Sequence, residues 1–144
     1  MQEASEHFTL GNQYKKAFYI LASPFFVGNR GLFHEIESPI YFCGGFVIEH
    51  YLKAALCLQN LNVYNIHDLI KLLGPNKESI SYFNIDGDEE RVISLLNERY
   101  FDSSSYGKYH LRYGPVTLAT VSPGPEVLYS LLSKMYRKFK GILF

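Results

Sequence analysis

SPIYFCGGFVIEHYLKAALCLQN, residues 38 to 60, decides how this chain folds. Ser38 followed by Pro39 reads as an N-cap and a first helical residue, so a helix is expected from there to about Asn60. At about 100° per residue, Glu49, Lys53 and Asn60 share one narrow stripe, with His50 at its margin. Val47, Ile48, Tyr51, Leu52, Ala54, Ala55 and Leu58 fill the rest of the circumference. A helix apolar around most of its surface lies inside a bundle or at a dimer interface. Glu49 precedes Lys53 by one turn, the favourable order for an ion pair. The pair is therefore expected on the surface, or facing a seam or cleft. Gly44 and Gly45, inside so apolar a helix, point to close helix packing.

The flanking sequence reads as more helices. Phe8, Tyr14, Phe18, Leu21 and Phe25 recur at spacings near three to four, which predicts a first helix over about Ser5 to Phe26. Val27 to Ser38, rich in Gly, Asn and Ser, reads as a loop. Asn65 is a good N-cap for a short helix ending at Leu73 before Gly74-Pro75, with Asp68 at its third position. A fourth helix is expected over Asp88 to Tyr100, with Val92, Leu95, Leu96 and Tyr100 on its apolar side. The last follows Ser122-Pro123-Gly124-Pro125 and runs to about Lys140, carrying Leu128, Leu131, Leu132, Met135 and Phe139. Tyr106 to Val121 has one stretch of extended character, Val116 to Ala119. Five helical segments against one doubtful strand predict an all-α, up-and-down helical bundle formed by a single domain over residues 1–144.

Composition narrows the function classes. The chain has 144 residues, 47% hydrophobic and 19% charged, as a globular protein does. Lys plus Arg and Asp plus Glu are equal at 14 each, so no global field draws the chain towards nucleic acid or anionic lipid. Nucleic-acid binding would need a local patch. The candidate is Lys134, Arg137, Lys138 and Lys140, whose plainer reading is favourable charge at a helix C-terminus. The 16% of aromatic residues fits a thick aromatic core, the plainer reading, or a dimer surface or stacking platforms. No secretory leader opens the sequence, and the longest uncharged runs are shorter than the roughly 20 residues a bilayer span takes. Cys43 and Cys57 on one helix would stand roughly 21 Å apart, too far for a disulfide. A reducing, cytoplasmic setting is expected.

Few motifs carry chemistry. Counted from Asp86, the sixth and twelfth positions of a calcium loop hold Arg91 and Asn97, so Asp86-Gly87-Asp88-Glu89-Glu90 reads as an acidic helix start. The five histidines show no metal-ligand spacing. There is no phosphate-binding glycine loop, and no cofactor is expected. One ordered set of short motifs remains. Glu49-His50-Tyr51-Leu52-Lys53-Ala54-Ala55-Leu56 is followed by His67-Asp68-Leu69, then by Arg112-Tyr113 with Gly114 and Pro115 after it.

This order resembles the HEPN (higher eukaryotes and prokaryotes nucleotide-binding) family. Its domains show Glu-x-x-Leu-Lys-Ala-x-Leu on the second helix, His-Asp-Leu opening the third, and often Arg-Tyr-Pro before the last. Here Gly114 stands where that proline is usual. The resemblance spans about Ala4 to Lys140. It implies a helical bundle, often homodimeric, of a kind found beside nucleotidyltransferases, in toxin–antitoxin pairs and in RNA-cleaving proteins. Glu49, Lys53, His67, Asp68 and Arg112 become the candidate ligand-binding residues, and a nucleotide, an RNA or a nucleotidyltransferase-type protein the expected partner. The ribonuclease branch places four to six residues between an Arg and the His that follows it. Here Arg30 and His34 have three residues between them, and Arg99 and His110 have ten, so that signature is missing. A non-catalytic binding or regulatory module is the expectation. The alternative is a metal-independent ribonuclease with a rearranged site of His110, Arg112 and Tyr113, which needs those residues on an extended segment so that His110 and Arg112 face one way.

Overall fold

The computed structural model describes residues 2–29, 33–100 and 124–143. Among them are five α-helices, one 3-10 turn and no strand. The helices are α1 (Gln2–Phe26), α2 (Phe33–Leu58), α3 (Glu78–Phe83), α4 (Gly87–Tyr100) and α5 (Pro125–Phe139), with the 3-10 turn at Lys71–Leu73. No helix among the described residues is long and apolar enough to cross a membrane.

Side-chain pairings fix the directions. His7 meets His50, and Tyr14 meets Phe46, so α1 and α2 are antiparallel. Tyr129 meets Phe18 and Tyr136 meets Phe8, so α5 runs against α1. Lys134, late in α5, reaches Glu89 at the start of α4, while Tyr100 at the end of α4 lies against Gly45. The four long helices therefore alternate up and down, as the periodicity predicts.

Core positions follow the expected stripes in part. Leu128, Leu131, Leu132, Met135 and Phe139 are all buried, and so are Phe8, Phe18 and Phe25. On α4 the buried residues are Ile93, Leu96 and Tyr100, whereas Val92 and Leu95 are half-buried. The spacing of three and four from Ile93 is the true stripe, because it faces α2. Aromatic rings fill the centre: Phe139 lies within 5.5 Å, centroid to centroid, of Phe8, Tyr51 and Phe83.

Two boundaries differ from the sequence expectation. α2 begins at Phe33, so Pro39 lies inside the helix rather than at its first position. A proline in a helix interior costs about 3 kcal/mol. Packing on either side of it offsets that cost, since Ile36 packs on the core and Ile40 is fully buried. The helix expected from Asn65 is only the short turn at Lys71–Leu73, and α3 follows it. Asp68, not Asn65, supplies the side-chain acceptor leading into this turn, its Oδ1 accepting the Ile70 and Lys71 amides at 3.0 and 3.4 Å. At the other end of α2, Asn60 takes a left-handed conformation (φ 57°), and the Leu61 amide bonds back to the Leu56 carbonyl at 2.9 Å. That is the asparagine form of a left-handed helix stop.

α2 is covered on nearly all sides by its own chain. Val47 through Ala55 are buried, including Glu49, His50 and Lys53. The glycine expectation holds: Leu128 packs onto Gly44, and the Tyr100 ring occupies the space a Cβ on Gly45 would take. Alanine at position 45 gains up to about 1 kcal/mol of helix propensity but overpacks the ring, at about 1–3 kcal/mol. The added Cβ would stand well inside van der Waals contact with the Tyr100 ring, which puts the overpacking at the upper end of that range, so Gly45→Ala is expected to lower the unfolding free energy by about 2 kcal/mol net. Urea titration of both proteins checks this, and an unchanged or raised midpoint would contradict it.

Candidate functional site

α2 places Glu49, His50 and Lys53 along one turn, facing the loop after α2 and the end of α4. The Glu49 side chain is 2% exposed and that of Lys53 7%. An unpaired carboxylate in such a place would cost far more than the fold can supply. Here both oxygens are engaged. Oε1 accepts from the Tyr100 hydroxyl at 2.8 Å and from His67 Nδ1 at 3.0 Å. Oε2 accepts from Lys53 Nζ at 3.1 Å and lies 3.5 Å from His50 Nε2. The expected surface pair is thus the centre of a buried network. The reason is that α2 has no solvent face at this level, so its polar stripe turns onto partners from other elements.

The network continues into α1. His50 Nδ1 lies 2.9 Å from His7 Nδ1, and the two rings stack with centroids 5.2 Å apart. His7 Nε2 in turn stands 3.9 Å from Glu3 Oε1 at the surface. The short nitrogen–nitrogen contact needs one donor and one acceptor, so it is lost when both rings are protonated. Burial holds His50 down to about 4, against the upward pull of Glu49; His7, Lys53 and His67 add to the lowering. His7 is held below its ordinary value by burial first and by Lys53 second.

His67 is where the cluster meets the surface, its side chain 41% exposed. A carboxylate can only accept, so Glu49 assigns the Nδ1 proton and orients the ring, leaving Nε2 as the acceptor nitrogen of the neutral form. Chemically, this is an imidazole of defined tautomer held at a rim by a buried acid. Asp68, its neighbour, does not join the cluster. Its Oδ1 also accepts from Asn97 Nδ2 at 3.1 Å, while Asn97 Oδ1 accepts the Leu69 amide at 2.9 Å. That exchange pins the His67 loop to α4. Among the described residues no group of three or more His, Cys, Asp or Glu side chains is arranged to hold a metal ion.

Of the residues singled out from sequence, Glu49, Lys53 and His67 converge, and Asp68 fixes the loop that carries one of them. His110, Arg112 and Tyr113 lie outside the described residues, as does the segment Tyr106 to Val121. Tyr100, His50 and His7 belong to the cluster but were not among the sequence candidates. Tyr100 counts as apolar in any periodicity, and only the fold brings His7 to a residue 43 positions away.

The basic run on the last helix is divided. Lys134 Nζ bonds Glu89 Oε1 and the Asn84 carbonyl, each at 2.6 Å. Lys138 sits over the Tyr82 ring at 4.9 Å. The acidic run opposite is a helix start, as expected: the Asp86 carboxylate accepts the Glu89 amide at 2.8 Å, and Glu89 returns the bond to the Asp86 amide at 3.0 Å. These reciprocal bonds form a capping box.

The histidine pair makes stability depend on pH in a definite direction. An unfolded chain protonates His50 near 6.5, whereas the folded chain resists until about 4. The unfolded state therefore binds the proton first, and stability present above 6.5 is lost as the pH falls towards 4. The loss attributable to His50 is on the order of 3 kcal/mol, and His7 acts in the same direction. Urea unfolding at about pH 7 and about pH 4.5 is expected to show a larger loss for wild type than for His50→Asn. Equal losses would refute the assignment. Comparison with known proteins gives no match to this chain from any family model, curated protein or solved structure.

Proposed function

We propose that this chain is a HEPN-like binding or regulatory module, without catalysis of its own, for a nucleotide, RNA or protein partner. The observation that carries the reading is the contact between Glu49 and His67. They belong to two separate motifs of the resemblance, 18 residues apart, and their side chains bond at 3.0 Å. Lys53, from the first motif, binds the same carboxylate. A shared structural role explains why such residues occur together, and it assigns Glu49 and Lys53 to holding the module rather than to touching a ligand. His67, at the rim, is the member placed to touch one.

The absence of catalysis rests on the sequence, in which no arginine is separated from a following histidine by four to six residues. A cytoplasmic setting, and a place beside a nucleotidyltransferase or within a toxin–antitoxin pair, belong to the same proposal. So does a homodimer, which rests on the resemblance alone because α2 is covered by its own chain.

The purified protein is expected to leave a mixed single-stranded RNA intact in EDTA, which excludes metal-dependent contaminants. His110→Ala and Arg112→Ala are carried alongside wild type. Cleavage by wild type that both substitutions abolish, with circular dichroism unchanged, would overturn the proposal. It would establish a metal-independent endoribonuclease in its place.

A further inference from the structure

The outer surfaces of α1 and α5 enclose an open groove of about 600 Å³. Its walls carry Lys15, Lys16, Tyr19, Tyr129 and Tyr136 and, among the described residues, no carboxylate. Lys15 Nζ lies 5.1 Å from the Tyr129 ring centroid and 4.8 Å from that of Tyr136. These tyrosines are seven residues apart on α5, hence on one face and about 10.5 Å apart along the axis. Tyr19 adds a third ring, 49% exposed, with its centroid 5.5 Å from that of Tyr129.

The charge of the groove is one-sided. Arg137 is exposed and lies close enough to Lys15 that its charge, after burial, lowers the lysine pKa. Among the described residues no carboxylate lies within ion-pair distance of Lys15, Lys16 or Arg137. Lys134 on the same helix, by contrast, is tied to Glu89. In a chain of formal net charge zero, two lysines gathered beside three tyrosines from two helices, with the Arg137 charge felt at Lys15, are a product of the fold. Lys15 comes from α1 and Arg137 from α5.

We propose that the α1–α5 groove binds the nucleotide units of a single-stranded RNA, with phosphates at Lys15 and Lys16 and bases against the exposed Tyr19 ring and the rims of Tyr129 and Tyr136 that line the groove. Single strands are bound by cationic grooves that track the backbone and by aromatic faces on which bases stack. Lys15 is held between two rings before the ligand arrives, so less of its freedom is lost on binding. An acidic peptide would use the cations and leave the rings idle. A second copy docked two-fold on this face would set the patch against itself, like charge against like. The choice of ligand class rests on the binding-module reading, but the groove is a separate place from the Glu49 cluster.

The test is fluorescence anisotropy of a short 5′-fluorescein oligouridylate titrated with wild type, Lys15→Ala/Lys16→Ala, Tyr19→Ala and the control Lys77→Ala. Each protein is first checked for folding by circular dichroism. Wild type and Lys77→Ala are expected to bind alike. The double lysine variant should bind at least about tenfold more weakly, and its log–log salt slope should fall by about 1.4, for two phosphates lost. Tyr19→Ala should weaken binding roughly five- to 100-fold with the slope unchanged. Competition by uridine monophosphate would identify the free nucleotide as a ligand, and competition by unlabelled oligonucleotide alone would identify the strand; either result supports the site. Absence of oligonucleotide binding would overturn it. Binding unaffected by the lysine and tyrosine changes would overturn the groove and leave the binding module standing. Displacement by polyglutamate, with Tyr19→Ala without effect, would overturn it in favour of an acidic protein partner. RNA cleavage in EDTA would bring down the module reading without touching the groove.

Discussion

Glu49 carries a negative charge into a place that water does not reach, and much of the surrounding arrangement answers that constraint. Desolvating a carboxylate costs several kcal/mol even after local relaxation. The cost is met by a lysine one turn away on the same helix, a tyrosine from the end of α4 and a histidine from the loop after α2. Each partner comes with a structural consequence. Tyr100 can reach the carboxylate only because position 45 has no side chain. His67 can reach it only because Asp68 and Asn97 hold its loop against α4. One buried acid thus ties two other segments of chain, the end of α4 and the His67 loop, to the central helix.

The fourth neighbour, His50, extends the same constraint to α1. Its ring is stacked on His7 and lies tilted against Phe46, with centroids 5.2 and 4.3 Å away. The His7 contact needs the imidazoles to share protons unequally, which is the state that burial favours. The aromatic core then closes the other side of α1, where Phe8 meets Tyr51, Tyr136 and Phe139. Polar and apolar contacts therefore act through adjacent residues, His7 and Phe8 against His50 and Tyr51, of the same helix pair. Tyr129 and Tyr136 share in that core through Phe18 and Phe8, while Lys15, Lys16 and Tyr19 line the groove outside it.

Much of this architecture was legible in residues 38 to 60 and in the stripes of the first and last helices. An apolar period near 3.6 reports which helices pack, and it identified every buried position expected on α5. It fails where one residue type serves two ends. Proline at the start of a helix and proline within one look alike in sequence, so Pro39 gave α2 a start six residues late. Glu49 and Lys53 were legible as a pair but not as a buried one. An i,i+4 ion pair has the same spacing on a wet face as on a dry one. The cluster itself was partly legible through three of its members. Tyr100 hid among apolar positions, and His7 has no local signal at all. The groove was missed because its charge is assembled from two distant helices, each ordinary in isolation.

Whether the buried carboxylate truly organises the bundle is decided most directly by equilibrium unfolding of a mutant cycle at positions 49 and 53. The measurement compares wild type, Glu49→Leu, Lys53→Met and the double variant in urea at neutral pH. Removing the acid alone leaves Lys53 buried without a counter-charge and the Tyr100 hydroxyl without its acceptor. Either single change is therefore expected to cost about 3–5 kcal/mol. The double variant should lose clearly less than the sum of the two, because no charge remains to be buried. Single substitutions that leave the midpoint unchanged, or losses that simply add, would contradict the central place of Glu49 in the bundle.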